Sequence, residues 1–349
     1  MLLSRTFYRL FIAFIASLML VAILAPIGQA QTLSSEYFLE TLRKKGKGKG
    51  KNRGKRRGPK KRNPIDTDDG TTTDPAVPTF QSWMHADVQA AWDAGFTGQN
   101  TNLIIVDDFN SRSRFRANLG TGRTRKTHGG WTAAQAGMIA TSATLNQVDW
   151  GASSFDLAAD KLNVANASYG MMTAVLPDAA DLSLGGVSDT LTTAAQSGLA
   201  VVTKAAGNDG VAVLNASAEG YYDVLNHSLL GSQSGLYVGA LSSNGSTDSL
   251  ASMASYSNFA GQDTSVQERF LVVGVEGNKT GLYGTSFAAP VVAGYASILG
   301  SKFTGTTATA ISQQLLDTAR TDTISGYDAA IHGQGEASLS RALAPTTIQ

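Results

Sequence analysis

The chain contains no cysteine in its 349 residues, which excludes disulfides, thiol nucleophiles and every thiolate metal site. Histidine is nearly as scarce: His85, His128, His227 and His332 are the only four, so an imidazole base has few candidates. No group of acidic residues has the spacing of a calcium loop, so no metal site is expected from the sequence pattern. Positive charge is thin outside one short segment. Thirteen of the 28 Lys and Arg residues lie between positions 43 and 62, and Arg5 and Arg9 lie near the start. The thirteen that follow position 62 face 25 acidic residues, so a formal net charge of +1 hides a basic tail ahead of a body near −12. A body of that sign stays soluble and does not by itself attract nucleic acid, and a monomer is expected.

Residues 1–30 carry Arg5 and Arg9, then an apolar stretch over 10–24, then small residues ending in Gly28, Gln29 and Ala30. That is the pattern of a secretory signal cleaved after Ala30, implying a secreted or periplasmic protein. An uncleaved anchor is the alternative, although the run is short for a membrane span. Residues 43–62 are Lys, Arg and Gly almost without interruption, and residues 63–78 are rich in Pro, Thr and Asp. Neither can bury apolar surface, so 31–79 reads as a disordered linker or short pro-segment. The basic run reads first as a solvated spacer and second as a contact for anionic surfaces such as lipid, acidic glycan or nucleic acid. Third, Lys55, Arg56 and Arg57, or Lys60, Lys61 and Arg62, are targets for a basic-specific protease.

Organised sequence runs from 80 to 345. Residues 88–94 pattern as an amphipathic helix stopped by Gly95, followed by a turn into an apolar strand at 103–106. Further strand-like runs occupy 162–165, 199–205, 236–240 and 270–275, and helical patterns occupy 131–143, 187–197, 286–299 and 307–319. Buried strands alternating with helices predict an α/β domain with a mainly parallel central sheet, whose reactive groups gather at the carboxyl ends of the strands.

The most informative stretch is Gly284, Thr285, Ser286, Phe287, Ala288, Ala289 and Pro290, running on into small and apolar residues. Proline has no N–H to give to the carbonyl four residues back, so it is tolerated in the first turn of a helix starting near Thr285. Ser286 then lies among unpaired N–H groups at the positive end of a helix dipole, where developing negative charge is stabilised. Alone, these residues are equally a helix start with a capping serine. A serine nucleophile needs a base, and only His128 has a motif-like setting, with Gly129 and Gly130 allowing close approach and a small-residue helix following. Without the serine, it is simply a histidine at a helix start. A carboxylate to orient that imidazole is offered at the end of strand 103–106 by Asp107 or Asp108, either of which is otherwise a turn cap. Ala205, Ala206, Gly207, Asn208, Asp209 and Gly210 follow another strand and, alone, are a turn.

Together these stretches resemble the subtilisin-like serine peptidases. The serine stretch matches the family's Gly-Thr-Ser-x-Ala-x-Pro at every fixed position, and His128 matches the first histidine of His-Gly-Thr-His, with Trp131 replacing the second. Asp107 and Asp108 fall at the family's strand-end acid, with Phe109 where the motif has glycine, and residues 205–208 match Ala-Ala-Gly-Asn. The order Asp, His, Asn, Ser is the one this fold uses, not the Ser, Asp, His order of the α/β-hydrolases. The resemblance spans 80–343.

It implies a subtilisin-like three-layer fold and a serine endopeptidase acting on polypeptides. Ser286 is then the nucleophile, His128 the base, Asp107 its orienting acid, and the Asn208 amide with the Ser286 N–H the oxyanion hole. Ser168, Tyr169 and Gly170 line a cleft in which substrate adds as a strand, whereas Ser183, Leu184, Gly185 and Gly186 form a similar string with no strand leading into it. No cofactor is implied, although the family often holds structural calcium through scattered ligands. Residues 31–79 are too short and too polar for the folded pro-domain that such peptidases usually carry. With Phe109 and Trp131, this keeps open a catalytically impaired member that acts as a binding or surface protein. Finally, Arg112, Arg114, Arg116, Arg123, Arg125 and Lys126 lie between Asp107 and His128. They read first as a solvated loop, and otherwise as a loop overhanging the cleft and favouring acidic substrate residues.

Overall fold

The computed structural model describes residues 78–178 and 183–348. The expected signal segment (1–30) and the basic run (43–62) lie outside them, as does nearly all of the separate unit Thr32–Thr79. In chain order the strands are β1 (Thr101–Asp107), β2 (Phe115–Ala117), β3 (Thr124–Lys126), β4 (Thr144–Asp149), β5 (Leu162–Ala167), β6 (Met172–Thr173), β7 (Val201–Ala205), β8 (Tyr222–Asp223), β9 (Gly235–Leu241) and β10 (Phe270–Gly274). The principal helices are α1 (Ala86–Asp93), α2 (His128–Ile139), α3 (Gly186–Gln196), α4 (Ala289–Lys302) and α5 (Ala308–Asp317).

Six strands pair in parallel in the order β10, β9, β7, β5, β1, β4, while β2 with β3 and β6 with β8 form small antiparallel ribbons. All seven residues of β1 are buried. Leu103 and Ile105 join one core with Ala136 of α2 and Val292 of α4, whereas Ile104 and Val106 join a second core with Leu191 of α3. Alternate residues thus enter opposite layers, which is why the central strands read as unbroken apolar runs. The α4 helix is buried on almost every side, and its small residues permit that. A Cβ on Gly294 would fall 2.6 Å from Ile139 Cγ2, and one on Gly300 would fall 2.5 Å from Leu162 Cδ2. Burying Ile298 and Leu299 completely contributes roughly 1.5–3 kcal/mol each.

The mainly parallel three-layer α/β architecture is the expected one, with two local differences. The α-helix expected from Thr285 begins at Ala289: Thr285–Phe287 forms a 3₁₀ turn, and Pro290 occupies the first turn of α4. Gly284, at φ 117°, adopts the left-handed backbone that precedes this turn. The edge strand β4 has no counterpart in the apolar runs because residues 144–147 are exposed and mostly polar.

Candidate active site

The order β7, β5, β1 places three strand ends side by side. Their carboxyl ends lead into Asn208, Ser168 and Asp107, the last being the final residue of β1. From β1 the chain turns outward through the β2/β3 hairpin and returns at Thr127, whose side chain caps α2 by accepting the Gly130 N–H at 3.1 Å. His128 is therefore the first residue of that helix. A Cβ on Gly129 would lie 2.9 Å from the Asp108 carbonyl oxygen and 3.0 Å from Asp107 Cβ, so only glycine lets the helix start this close to β1.

That approach brings His128 Nδ1 within 2.6 Å of Asp107 Oδ1. The Asp107 side chain is 0 % exposed and that of His128 25 %, so water does not compete for the carboxylate while the imidazole keeps an open edge. Asp107 Oδ1 also accepts the Asp108 N–H at 2.6 Å, and Oδ2 accepts the Thr132 hydroxyl at 2.9 Å. Asp108 instead accepts the Ser111 N–H at 2.8 Å, so of the two candidate acids only Asp107 meets the imidazole. Burial pulls the His128 pKa down, but the charge and hydrogen bond of Asp107, with the charge of Asp108, outweigh it and hold it above the ordinary 6.5. The other three histidines have local partners: His85 meets Asp87, His227 the Leu214 carbonyl, and His332 the Asp328 backbone.

The serine turn lies against the same imidazole. The Phe287 ring is 5.4 Å from that of His128, centre to centre, and Phe115 lies 6.4 Å from both. The Ser286 hydroxyl donates to the Ser168 carbonyl at 3.2 Å, and the Ser168 hydroxyl donates to the Ser286 carbonyl at 3.0 Å. Asn208 Oδ1 accepts the Thr285 N–H at 2.8 Å and the Thr285 hydroxyl at 3.2 Å. The buried Gln135 amide on α2 donates to the Phe287 carbonyl at 3.0 Å.

Of the three expected cleft residues, Ser168 touches Ser286, and Gly170 lies against Asp223, whose Oδ2 would sit 2.8 Å from a Cβ there. Tyr169 turns inward: its ring packs edge-on against Trp150 at 5.9 Å and its hydroxyl bonds that of Ser188 at 2.9 Å. Asp223 in turn holds Lys204, an ammonium 1 % exposed, at 2.9 Å. Trp131 is a packing residue, its Nε1 donating to the Phe115 carbonyl at 3.2 Å. Sequence reasoning missed Thr132, Gln135, Phe115 and the Lys204–Asp223 pair. Their residue types are common, and only Lys204, a charge inside an apolar strand, is out of place enough to be noticed.

Three comparisons bear on this site. The model of the Subtilase family matches residues 117–337, a span holding His128, Ser168, Asn208 and Ser286 and beginning after Asp107. No match was found among curated protein sequences. Among solved structures, a protease from Pseudoalteromonas arctica PAMC 21717 superimposes with TM-score 0.50 at 18 % identity, covering 74 % of this chain and 93 % of that one. The MycP3 protease of the type VII (ESX-3) secretion system gives TM-score 0.46 at 18 % identity over 74 % of this chain and 86 % of its own. The prenylagaramide maturation protease PagA gives 0.47 at 17 % over 74 % and 98 %. With the family model matched across well over half its length, the chain belongs to the subtilase family and is a subtilisin-like serine peptidase.

Proposed function

We propose that Ser286, His128, Asp107 and Asn208 form the catalytic apparatus of an exported endopeptidase. The contact that carries this reading is the 2.6 Å bond from His128 Nδ1 to the fully buried Asp107, made beside the turn that bears Ser286. With Nδ1–H held by the carboxylate, Nε2 presents its lone pair. The Ser286 hydroxyl leaves the Ser168 carbonyl by rotation about one side-chain bond and gives its proton to Nε2 as Oγ bonds the scissile carbonyl carbon. The carbonyl electron pair moves onto oxygen, where the Ser286 N–H and the Asn208 amide receive it. Because Asn208 Oδ1 is engaged by Thr285, its NH₂ is the end left for that oxyanion. Collapse expels the amine with the proton from His128, and water repeats the sequence to release the acid.

In this reading the backbone from Ser168 to Gly170 pairs with an extended polypeptide, since the Tyr169 ring is committed to the core. Export rests on the Arg-then-apolar pattern of residues 1–30, and a secreted product whose sequence begins at Gln31 is the corresponding result. A fluorophosphonate probe tests the chemistry. Labelling of the folded wild type that vanishes in Ser286→Ala supports the peptidase reading. Absence of labelling in the folded wild type favours a binding protein built on the same fold.

A further inference from the structure

We propose that Asp223, gripped by Lys204, is a positioning residue that holds the backbone from Ser168 to Gly170 where an extended polypeptide substrate can pair with it, an inference that rests on the peptidase reading of Ser286. That backbone leaves β5 beside the serine turn, where Ser168 and Ser286 exchange two hydrogen bonds, and runs on through Met171 into β6. Residues 168–171 belong to no strand pairing among the described residues. A segment that keeps an edge open for substrate has to be fixed from elsewhere.

The fixing comes from Asp223 at the far end of the segment. Its Oδ1 accepts the Met171 N–H at 2.8 Å, and the Met171 carbonyl takes the Val224 N–H at 2.8 Å, so both polar backbone groups of Met171 are held by one turn. Oδ2 lies so close to Gly170 that a Cβ there would meet it at 2.8 Å. Met172 then pairs opposite Asp223 in the β6/β8 ribbon, which extends the tie by one residue.

Lys204 fixes the carboxylate in turn. It stands opposite Ala167 in the parallel pairing of β5 with β7, and its ammonium donates to Asp223 Oδ2 at 2.9 Å and to the Ala205 carbonyl. Ala205 leads into the loop that carries Asn208, so one buried cation joins the segment proposed to bind substrate backbone to the loop proposed to hold the oxyanion. The Lys204 side chain is 1 % exposed and that of Asp223 11 %. Stability does not account for such a pair, because an ion pair taken out of water is often no better than apolar residues of the same volume. What apolar residues could not supply is a directed acceptor for the Met171 N–H and a directed donor for the Ala205 carbonyl.

The test compares two double variants that both lack the ion pair. Lys204→Met with Asp223→Asn leaves no unpaired buried charge and keeps an acceptor within reach of Met171. Lys204→Met with Asp223→Ser still caps the Leu225 N–H, which Asp223 Oδ1 accepts at 3.1 Å, but its hydroxyl is one bond too short for Met171. Each is assayed with a tetrapeptide anilide long enough to reach Gly170, with a single-residue acyl ester that is not, and with the fluorophosphonate probe. Relative to the Asn pair, the Ser pair should lose about tenfold in kcat/KM for the tetrapeptide, chiefly through KM, while ester turnover and labelling agree within about twofold. Should the Ser pair fail to melt cooperatively, Asp223→Thr in its place carries the same comparison. Equal tetrapeptide kcat/KM in the two pairs, or proportional losses on tetrapeptide and ester, overturn the positioning role and leave the peptidase reading standing. A folded wild type that neither labels nor turns over any substrate overturns both.

Discussion

Replacing Asp107 by Asn separates two jobs that the proposed mechanism gives to one carboxylate. The charge stabilises the imidazolium that forms as Ser286 loses its proton, and the acceptor oxygen keeps the Nδ1–H tautomer. Asp107 accepts from His128 and the Asp108 N–H at one oxygen and from the Thr132 hydroxyl at the other. Thr132 also contacts the Gly129 carbonyl at 3.1 Å, so its hydroxyl can donate there and accept from the introduced side-chain amide instead. The asparagine then keeps its oxygen toward His128 and preserves the tautomer, and only the charge is lost. With charge centres about 4 Å apart and an effective dielectric near 20, that charge is worth about 4 kcal/mol, or a loss in kcat of about 10³. Adding Thr132→Val leaves the amide without a partner on that side, but the Asp108 N–H still holds the oxygen toward His128, so the tautomer is kept and kcat falls little further. The assay is kcat for a chromogenic peptide across pH 5–10, with folding checked by thermal melting. Wild-type activity should fall in acid with a midpoint above 6.5, because His128 is raised, and the Asn variant's midpoint should lie lower. Stability carries its own sign: a raised histidine pKa contributes fully below 6.5 and its contribution fades as pH rises through the folded value, so the variant's Tm deficit should be larger at pH 5 than at pH 9. A kcat loss under about thirtyfold, or a double variant about tenfold or more slower than the single one, refutes the reasoning.

Asn208→Asp keeps an acceptor for the Thr285 N–H and hydroxyl but puts a carboxylate oxygen where the proposed oxyanion donor stood. We expect kcat to drop by at least 10²–10³, the range that losing one such donor costs in a related protease, with KM and Tm near wild type. Unchanged kcat removes Asn208 from the oxyanion hole. Lys204→Met strips Asp223 of a buried partner and should lower stability by about 3–5 kcal/mol, seen as a lower urea midpoint at constant m-value. A change below about 1 kcal/mol would mean that the pair contributes nothing net. Asp87→Asn tests the tie between α1 and the short helix Leu339–Ala342, where Asp87 accepts the Ser340 N–H at 2.9 Å. Burial alone would raise the Asp87 pKa, but its bonds from His85 and Ser340 hold it at about 2 against an ordinary 3.8. Its contribution, at most about 2 kcal/mol, is present above pH 3.8 and lost as pH falls through 2, so the gap between variant and wild-type Tm should close toward pH 2. A gap independent of pH contradicts this.

The sheet is legible in the sequence because β1, β5, β7, β9 and β10 are buried on both faces and show it as apolar runs. β4 and the β2/β3 ribbon are not, since edge and surface strands made of Thr, Asn, Gln, Arg and Lys carry no apolar signal. The helix after Ser286 reads four residues early because proline fits any position of a first turn, and its presence does not choose among them. Likewise Asp107 and Asp108 differ only in side-chain direction at a strand end, and the approach of α2 made possible by Gly129 settles which one meets His128. Tyr169 shows the same limit: the sequence places the segment near the serine but not the ring, which turns into the layer beneath. Gln135 and Phe287 are 152 positions apart, and their bond exists only once α2 and α4 are packed.

Those packing contacts converge on the serine turn in a way that follows from its backbone. Three successive residues there each give one polar group to a neighbouring element: the Thr285 N–H to Asn208, the Ser286 carbonyl to Ser168 and the Phe287 carbonyl to Gln135. The loop after β7, the end of β5 and helix α2 thus grip the turn from three directions. None of the three contacts consumes the Ser286 N–H, which has no partner among the described residues, and the Ser286 hydroxyl is held only by a 3.2 Å bond to a carbonyl that cannot take its proton. The Ser286 carbonyl is open to Ser168 because Pro290, four residues on, has no N–H to give it, and the Phe287 carbonyl is open to Gln135 because the Val291 N–H goes to the Ala288 carbonyl instead. Proline in the first turn of α4 and the start of that helix at Ala289 thus each release one carbonyl, and both anchor the turn that bears Ser286.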